Sequence, residues 1–193
     1  MQKRLVYSIG LVALFALQSC GSLPYMRKPE ANEPMLTAPP AGQALVNFHR
    51  PSGYGGAQQY PVFDGEKLIG NTMGKTMFQY VCDPGVHHFM GVADRATVVR
   101  AELAADKVYD IVLNISMGFW KAGITMDPLI QGHDKRPEVP EWEERERRWI
   151  YAADERALRY EASRQGWAQD TKADFTTGDK QDRLKSMGPN DDR

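Results

Sequence analysis

Tyr60-Pro-Val-Phe-Asp-Gly-Glu-Lys-Leu-Ile-Gly70 is the stretch on which the fold of this chain turns. Asp64-Gly65 separates two short runs of aliphatic and aromatic residues, and an Asp-Gly pair readily takes the positive φ values of a tight hairpin. Tyr60–Phe63 is therefore expected to pair with Lys67–Ile69, with Pro61 near a strand end or an edge, where its missing N–H is harmless. Downstream, Cys82-Asp-Pro-Gly85 presets one turn dihedral with proline and frees the next with glycine. Thr76–Val81 and Val86–Ala93 then make a second hairpin. Upstream, Ala44, Val46 and Phe48 alternate with Leu45, Asn47 and His49 across the two faces of a strand. Pro51 stops that strand, and Ser52–Gly56 makes a loop. Thr97–Leu103, Val108–Ile115 and Phe119–Met126, before Pro128, supply further strands. Short strands at this spacing predict a mainly β fold: a small antiparallel β-sandwich of about seven strands over residues 43–127.

Past Pro128 the composition changes. Residues 128–168 read as a linker followed by one amphipathic helix from about Pro140 to about 165. Proline suits a first helical turn, and Glu141, Glu143 and Glu144 oppose the positive end of the helix dipole. Trp142, Trp149, Ile150, Ala153, Ala157 and Tyr160 recur at helical spacing. Such a stripe either docks on the sandwich or, through Trp142, Trp149, Ile150 and Tyr160, forms a partner-binding helix face. The polar stretch 169–193 is nearly free of large apolar groups and is expected to be disordered.

The opposite end carries an address. Lys3 and Arg4 precede an apolar run from Leu5 to Leu17, shorter than the ~20 residues that a membrane-spanning helix needs. Leu17-Gln-Ser-Cys20 resembles the lipobox of bacterial lipoproteins. That resemblance implies a signal peptide over residues 1–19, cleavage between Ser19 and Cys20, a diacylglycerol on the Cys20 thiol and a further acyl chain of the palmitate type. The mature chain is then anchored to a membrane at its periplasmic face. Gly21, where an aspartate would signal retention at the inner membrane, points to the outer membrane of a two-membrane cell. Residues 20–42 hold five prolines between Gly21 and Gly42 and read as a lipidated tether, which extends at up to ~3.1 Å per residue.

Composition narrows the function classes. Loss of Lys3 and Arg4 with the signal moves the formal charge from -1 to -3, so there is no basic footprint for nucleic acid. With Cys20 acylated, Cys82 is left alone and no internal disulfide can close. No nucleophile elbow, cysteine-protease signature or phosphate-cradling loop is legible, and Gly53-Tyr-Gly-Gly56 lacks the lysine and helix of a P-loop. No cofactor is implied. His49, His87 and His88 are the candidate metal or catalytic residues. Adjacent strand residues point to opposite faces, so only one of His87 and His88 can share a face with His49.

Three stretches resemble a known family: Ala44-Leu-Val-Asn-Phe-His-Arg-Pro51, the quoted hairpin ending at Gly70, and Pro84-Gly-Val-His-His88. They look like the bacterial domain of unknown function 2846, whose members are often lipoproteins. Val86 departs from the charged residue usual at its position. The likeness covers roughly residues 43–115 and implies a sandwich similar to PEGA and carboxypeptidase-regulatory modules. Arg50, Pro51, Asp64, Gly65, Pro84 and Gly85 carry it as turn and strand formers, and it implies no catalytic role. These features together imply a non-catalytic envelope protein that engages an unidentified protein partner. The alternative is an envelope enzyme or metal-dependent accessory protein using His49 with His87 or His88.

Overall fold

The computed structural model describes residues 23–117 and 122–193. Ser19 and Cys20, together with Phe119 of the last predicted strand, lie outside the described residues. The strands in chain order are β1 (Met26–Arg27), β2 (Ala44–Arg50), β3 (Tyr60–Asp64), β4 (Lys67–Thr72), β5 (Thr76–Cys82), β6 (Gly85–Gly91), β7 (Thr97–Leu103), β8 (Val108–Met117) and β9 (Ala122–Pro128). A short helix α1 (Val139–Arg145), strand β10 (Arg147–Tyr151), helix α2 (Glu155–Thr176) and strand β11 (Lys185–Met187) follow.

The protein is the mainly β sandwich that its hairpins predict. One sheet runs β1-β10-β5-β2-β8-β9 and the other β11-β7-β6-β3-β4. Gly65 turns the β3–β4 hairpin at φ 57°, and Asp64 pairs with Lys67 across it. The core lies between the sheets, where Phe48 stacks on Phe78 with ring centroids 4.7 Å apart and meets Phe89 edge-on at 5.2 Å. Such aromatic pairs add about 0.5–1.5 kcal/mol beyond the area they bury. A Cβ on Gly70 would stand 2.6 Å from the Phe78 ring; only glycine lets β4 approach that ring.

Both outer faces are covered as well. Phe63, Leu68, Met90 and Val98 pack under Ala157, Ala168 and Phe175 of α2, while Val112 and Leu129 pack under Val139 and Trp142 of α1. This is why every residue of β2 is buried, although the sequence alternates polar and apolar along it.

Several expectations are corrected. The sandwich is not purely antiparallel, since β2 pairs with β8, β5 with β10 and β7 with β11 in parallel. The single helix expected over 140–165 is instead α1, β10 and the first half of α2. Trp149-Ile150-Tyr151 has strand-forming side chains and extends the sheet beside β5. Asp154 then caps α2, accepting a hydrogen bond from the Ala157 amide at 2.8 Å, as a short acidic side chain does at a helix start. The stretch 169–193 is ordered: it completes α2 and adds β11, whose Met187 joins the core. The tether is also partly folded, because Leu23 is 2% exposed and β1 pairs antiparallel with β10.

Candidate functional site

The side of β2 that turns away from the sandwich core carries Leu45, Asn47 and His49. On a solvated sheet these would face water, but here α1 and the C-terminal residues close over them. His49, 0% exposed, has both ring nitrogens engaged: Nδ1 lies 2.7 Å from Oε2 of Glu146, and Nε2 lies 3.2 Å from Oδ1 of Asp110. Asp110 comes from β8, in register with Asn47, whose Nδ2 donates to Oδ1 of Asp110 at 2.9 Å. Gln79 of β5 donates to Oδ1 of Asn47 at 2.9 Å. The Trp142 ring lies 5.8 Å from the His49 ring, and Nε of Arg193 lies 3.7 Å from Oδ2 of Asp110.

Burial works against a charged His49, but hydrogen bonds to Asp110 and Glu146 and their negative charge outweigh it and hold its pKa up at about 9. The side chain is therefore an imidazolium clamped between two carboxylates. Burial opposes ionisation of Asp110 too, yet His49, Arg193 and Asn47 keep its pKa below the ordinary value. Glu146 is pushed the other way by burial, with His49 offsetting this only in part.

Beside this cluster lies a cleft of about 360 Å³. Buried Trp142 and Glu146 reach it from below, Pro51, Ser52 and Lys75 form one side, and exposed Glu141 and Arg145 of α1 stand at its mouth. Glu146, 8% exposed, has its Oε1 buried with no hydrogen bond of normal geometry. Lys75 holds a left-handed backbone at φ 58°. Such strain in a residue other than glycine persists only where neighbours impose it: the Lys75 amide donates to the Arg50 carbonyl at 2.9 Å, and its carbonyl accepts from Arg147 at 3.0 Å. Arg50, fully buried, donates to the carbonyls of Gly55 and Gln58 at 2.8 and 2.6 Å and shapes the loop beyond Pro51. The cleft is thus polar and of mixed charge, with Lys75, Glu141 and Arg145 among its accessible charged groups.

The other candidate histidines do not join this site. His87 lies on β6 in the second sheet, with Nδ1 2.7 Å from Oδ2 of Asp64 and Nε2 2.9 Å from the Asp83 carbonyl. Hydrogen bonds to Asp64 and then Cys82 hold its pKa up at about 10. His88 points towards α2, where burial and the charges of Lys172 and Arg100 lower its pKa. The structure does not bring His49 together with His87 or His88, since His49 faces outward from its sheet, His87 stacks on core Phe89 and His88 faces α2, and no group of three His, Cys, Asp or Glu side chains among the described residues forms a metal-ligand set.

The proposed helix face is likewise dispersed. Trp142 sits on α1 and Trp149 on β10, both buried; Ile150 is half-buried on β10; Tyr160 on α2 stacks on Tyr25 at 5.0 Å. They do not share a helix or a face. Nothing local in the sequence marks Glu146, Asp110 or Lys75 as members of the site. Polar Asn47 and His49, two apart on one strand face, are the only local signal for the cluster; Glu146 was one charge in a charged run.

No family model, curated protein or solved structure matches the chain significantly. The likeness to the domain of unknown function 2846 family accordingly rests on its three quoted stretches.

Proposed function

We propose that this chain is a lipid-anchored lipoprotein of the bacterial cell envelope, held at the periplasmic face of the outer membrane by acyl chains on Cys20. Its sandwich is a non-catalytic interaction module, akin to the family it resembles, that engages another envelope protein through the cleft beside α1. The observation that carries this reading is the order Lys3-Arg4, apolar run, Leu17-Gln-Ser-Cys20. Each buried methylene contributes ~0.8 kcal/mol, so two or three acyl chains anchor firmly where one is marginal. Among the described residues no helix is long and apolar enough to cross a membrane. A non-catalytic role is supported by His49, whose nitrogens are both committed and which has no exposed surface to offer a substrate. Recognition is assigned to the cleft because it gathers Ser52, Lys75, Glu141 and Arg145 on one concave polar surface.

Mass spectrometry of the mature N-terminal peptide tests the anchor. Wild type should begin at Cys20, carry the mass of a diacylglycerol and partition with membranes; Cys20→Ser should stay uncut or be miscut. A free thiol at Cys20, or a mature end elsewhere, overturns the reading. A photo-crosslinker at Ser52 in living cells should capture the partner, one at Glu102 should not, and Arg145→Ala at the cleft should weaken the capture.

A further inference from the structure

We infer that the domain lies flush on the lipid surface, with the edge built from β1, β4 and the start of α2 against the head groups, instead of hanging from a long leash. This rests on the acylation of Cys20 proposed above. Proline-rich stretches after a lipidated cysteine are natural spacers, and residues 20–42 have that composition. The structure takes most of that length away. The chain is already fastened at Leu23, which is buried in the core with Met26. The Asn71 amide on β4 donates to Met26 Sδ at 3.2 Å, and the Ala152 amide donates to the Tyr25 carbonyl at 2.8 Å. Tyr25 stacks on Tyr160 of α2.

Four of the five prolines come after this anchorage, and that stretch is itself strapped down. The Leu36 amide and carbonyl bond the Gln79 side chain at 2.8 Å each, Arg148 donates to the Pro34 carbonyl at 2.9 Å, and Arg27 pairs with Glu33. Only Gly21 and Ser22 stand between the acylated cysteine and Leu23. Three residue steps span at most roughly 11 Å even when fully extended. The edge at Leu23 therefore cannot leave the head-group region, whatever its own affinity for lipid. β1 and β4 both lie at sheet edges, with β9 and β11 at the opposite edges. At ~4.8 Å per strand step, β11 lies about 19 Å further from the bilayer than β4.

Nitroxide labels test this on the full-length protein, matured in bacterial cells and mixed with phosphatidylethanolamine–phosphatidylglycerol vesicles that carry a nickel-chelating lipid. In a Cys82→Ala background, Ser163→Cys reports from α2 and Ser186→Cys from β11. Nickel at the head groups should relax the label at 163 several-fold more than the label at 186. A twelve-residue Gly/Ser insertion between Ser22 and Leu23 should erase the difference. Vesicle-bound protein with equal relaxation at both positions overturns the flush arrangement and leaves the lipoprotein reading standing. Protein that fails to bind vesicles at all overturns the acylation itself.

Discussion

Two imidazoliums in this protein hold carboxylates at the same 2.7 Å, yet they belong to different kinds of structure. His87 ties Asp64 to the turn after β5, joining two adjacent hairpins, and its side chain keeps 16% of its exposure. His49 joins three segments, with Asp110 61 residues and Glu146 97 residues away in sequence, and is sealed from water. The difference teaches what burial does to an ion pair. A partly solvated pair gains little and loses little. A sealed triad repays the desolvation of its charges only when every member is present, so removing one strands the others.

The largest contrast should come from deleting one carboxylate in each cluster. Asp110→Ala leaves His49 short of a partner in a dry site and should cost about 3–5 kcal/mol. Asp64→Ala, at the partly solvated site, should cost about 1–2 kcal/mol. Urea denaturation of the unlipidated chain measures both, and equal losses would sink the distinction.

Alkaline pH sharpens the comparison next. Both histidines have folded pKa values above the unfolded value of about 6.5. Each therefore contributes stability that is fully present below that pH and is lost as pH rises, through about 9 for His49 and about 10 for His87. The urea midpoint should fall between pH 7 and 10, and His49→Gln should flatten the earlier part of that fall. An NMR titration in which the His49 ring deprotonates near 6.5 would contradict the clamped imidazolium. Acid acts through Asp110, whose lowered pKa means stability present above about 3.8 and lost as pH drops through the folded value.

Glu146→Gln removes charge while keeping shape, so it should lower the His49 pKa, since one of the two carboxylates raising it is gone. The ring titration reads this directly; an unchanged pKa would leave Asp110 as the sole clamp. The smallest effect belongs to the mouth of the cleft, where Arg145 pairs with Glu141 at two-thirds exposure. Glu141→Gln should shift stability by less than about 0.5 kcal/mol. A larger loss there would show that α1 depends on its surface charges.

The hairpins were legible because each is local. Asp64-Gly65 and Pro84-Gly85 specify turns whose strands follow within a few residues, and β2 to β9 lie close to where alternation put them. Of the C-terminal third, only the presence of a helix was legible. Arg147–Tyr151 sits among residues with helical spacing, and it becomes a strand because the edge of β5 accepts it. β11 is Lys-Ser-Met, three residues with no strand signal, recruited by β7 and by the ion pair of Lys185 with Asp127. The proline-rich stretch departs from an extended spacer for a related reason: proline content reports what a segment can do alone, and Leu23 and Met26 are held by a core that composition does not reveal.

The same division runs through the candidate site. His49 stood out in the sequence, and its place on the outward face of a strand followed from alternation alone. Its charge, its two partners and the cleft beside it did not follow, because they arise where β2, β8 and α1 meet. The turns and the strand periodicity could be read from the sequence alone, because they are fixed by neighbours within a few residues. Which outer faces are covered, where the segment from Leu23 is fastened and which carboxylates enclose His49 depend on the closed fold. Burial and hydrogen-bond geometry depend on segments that are distant in sequence and meet only when the sheets have closed.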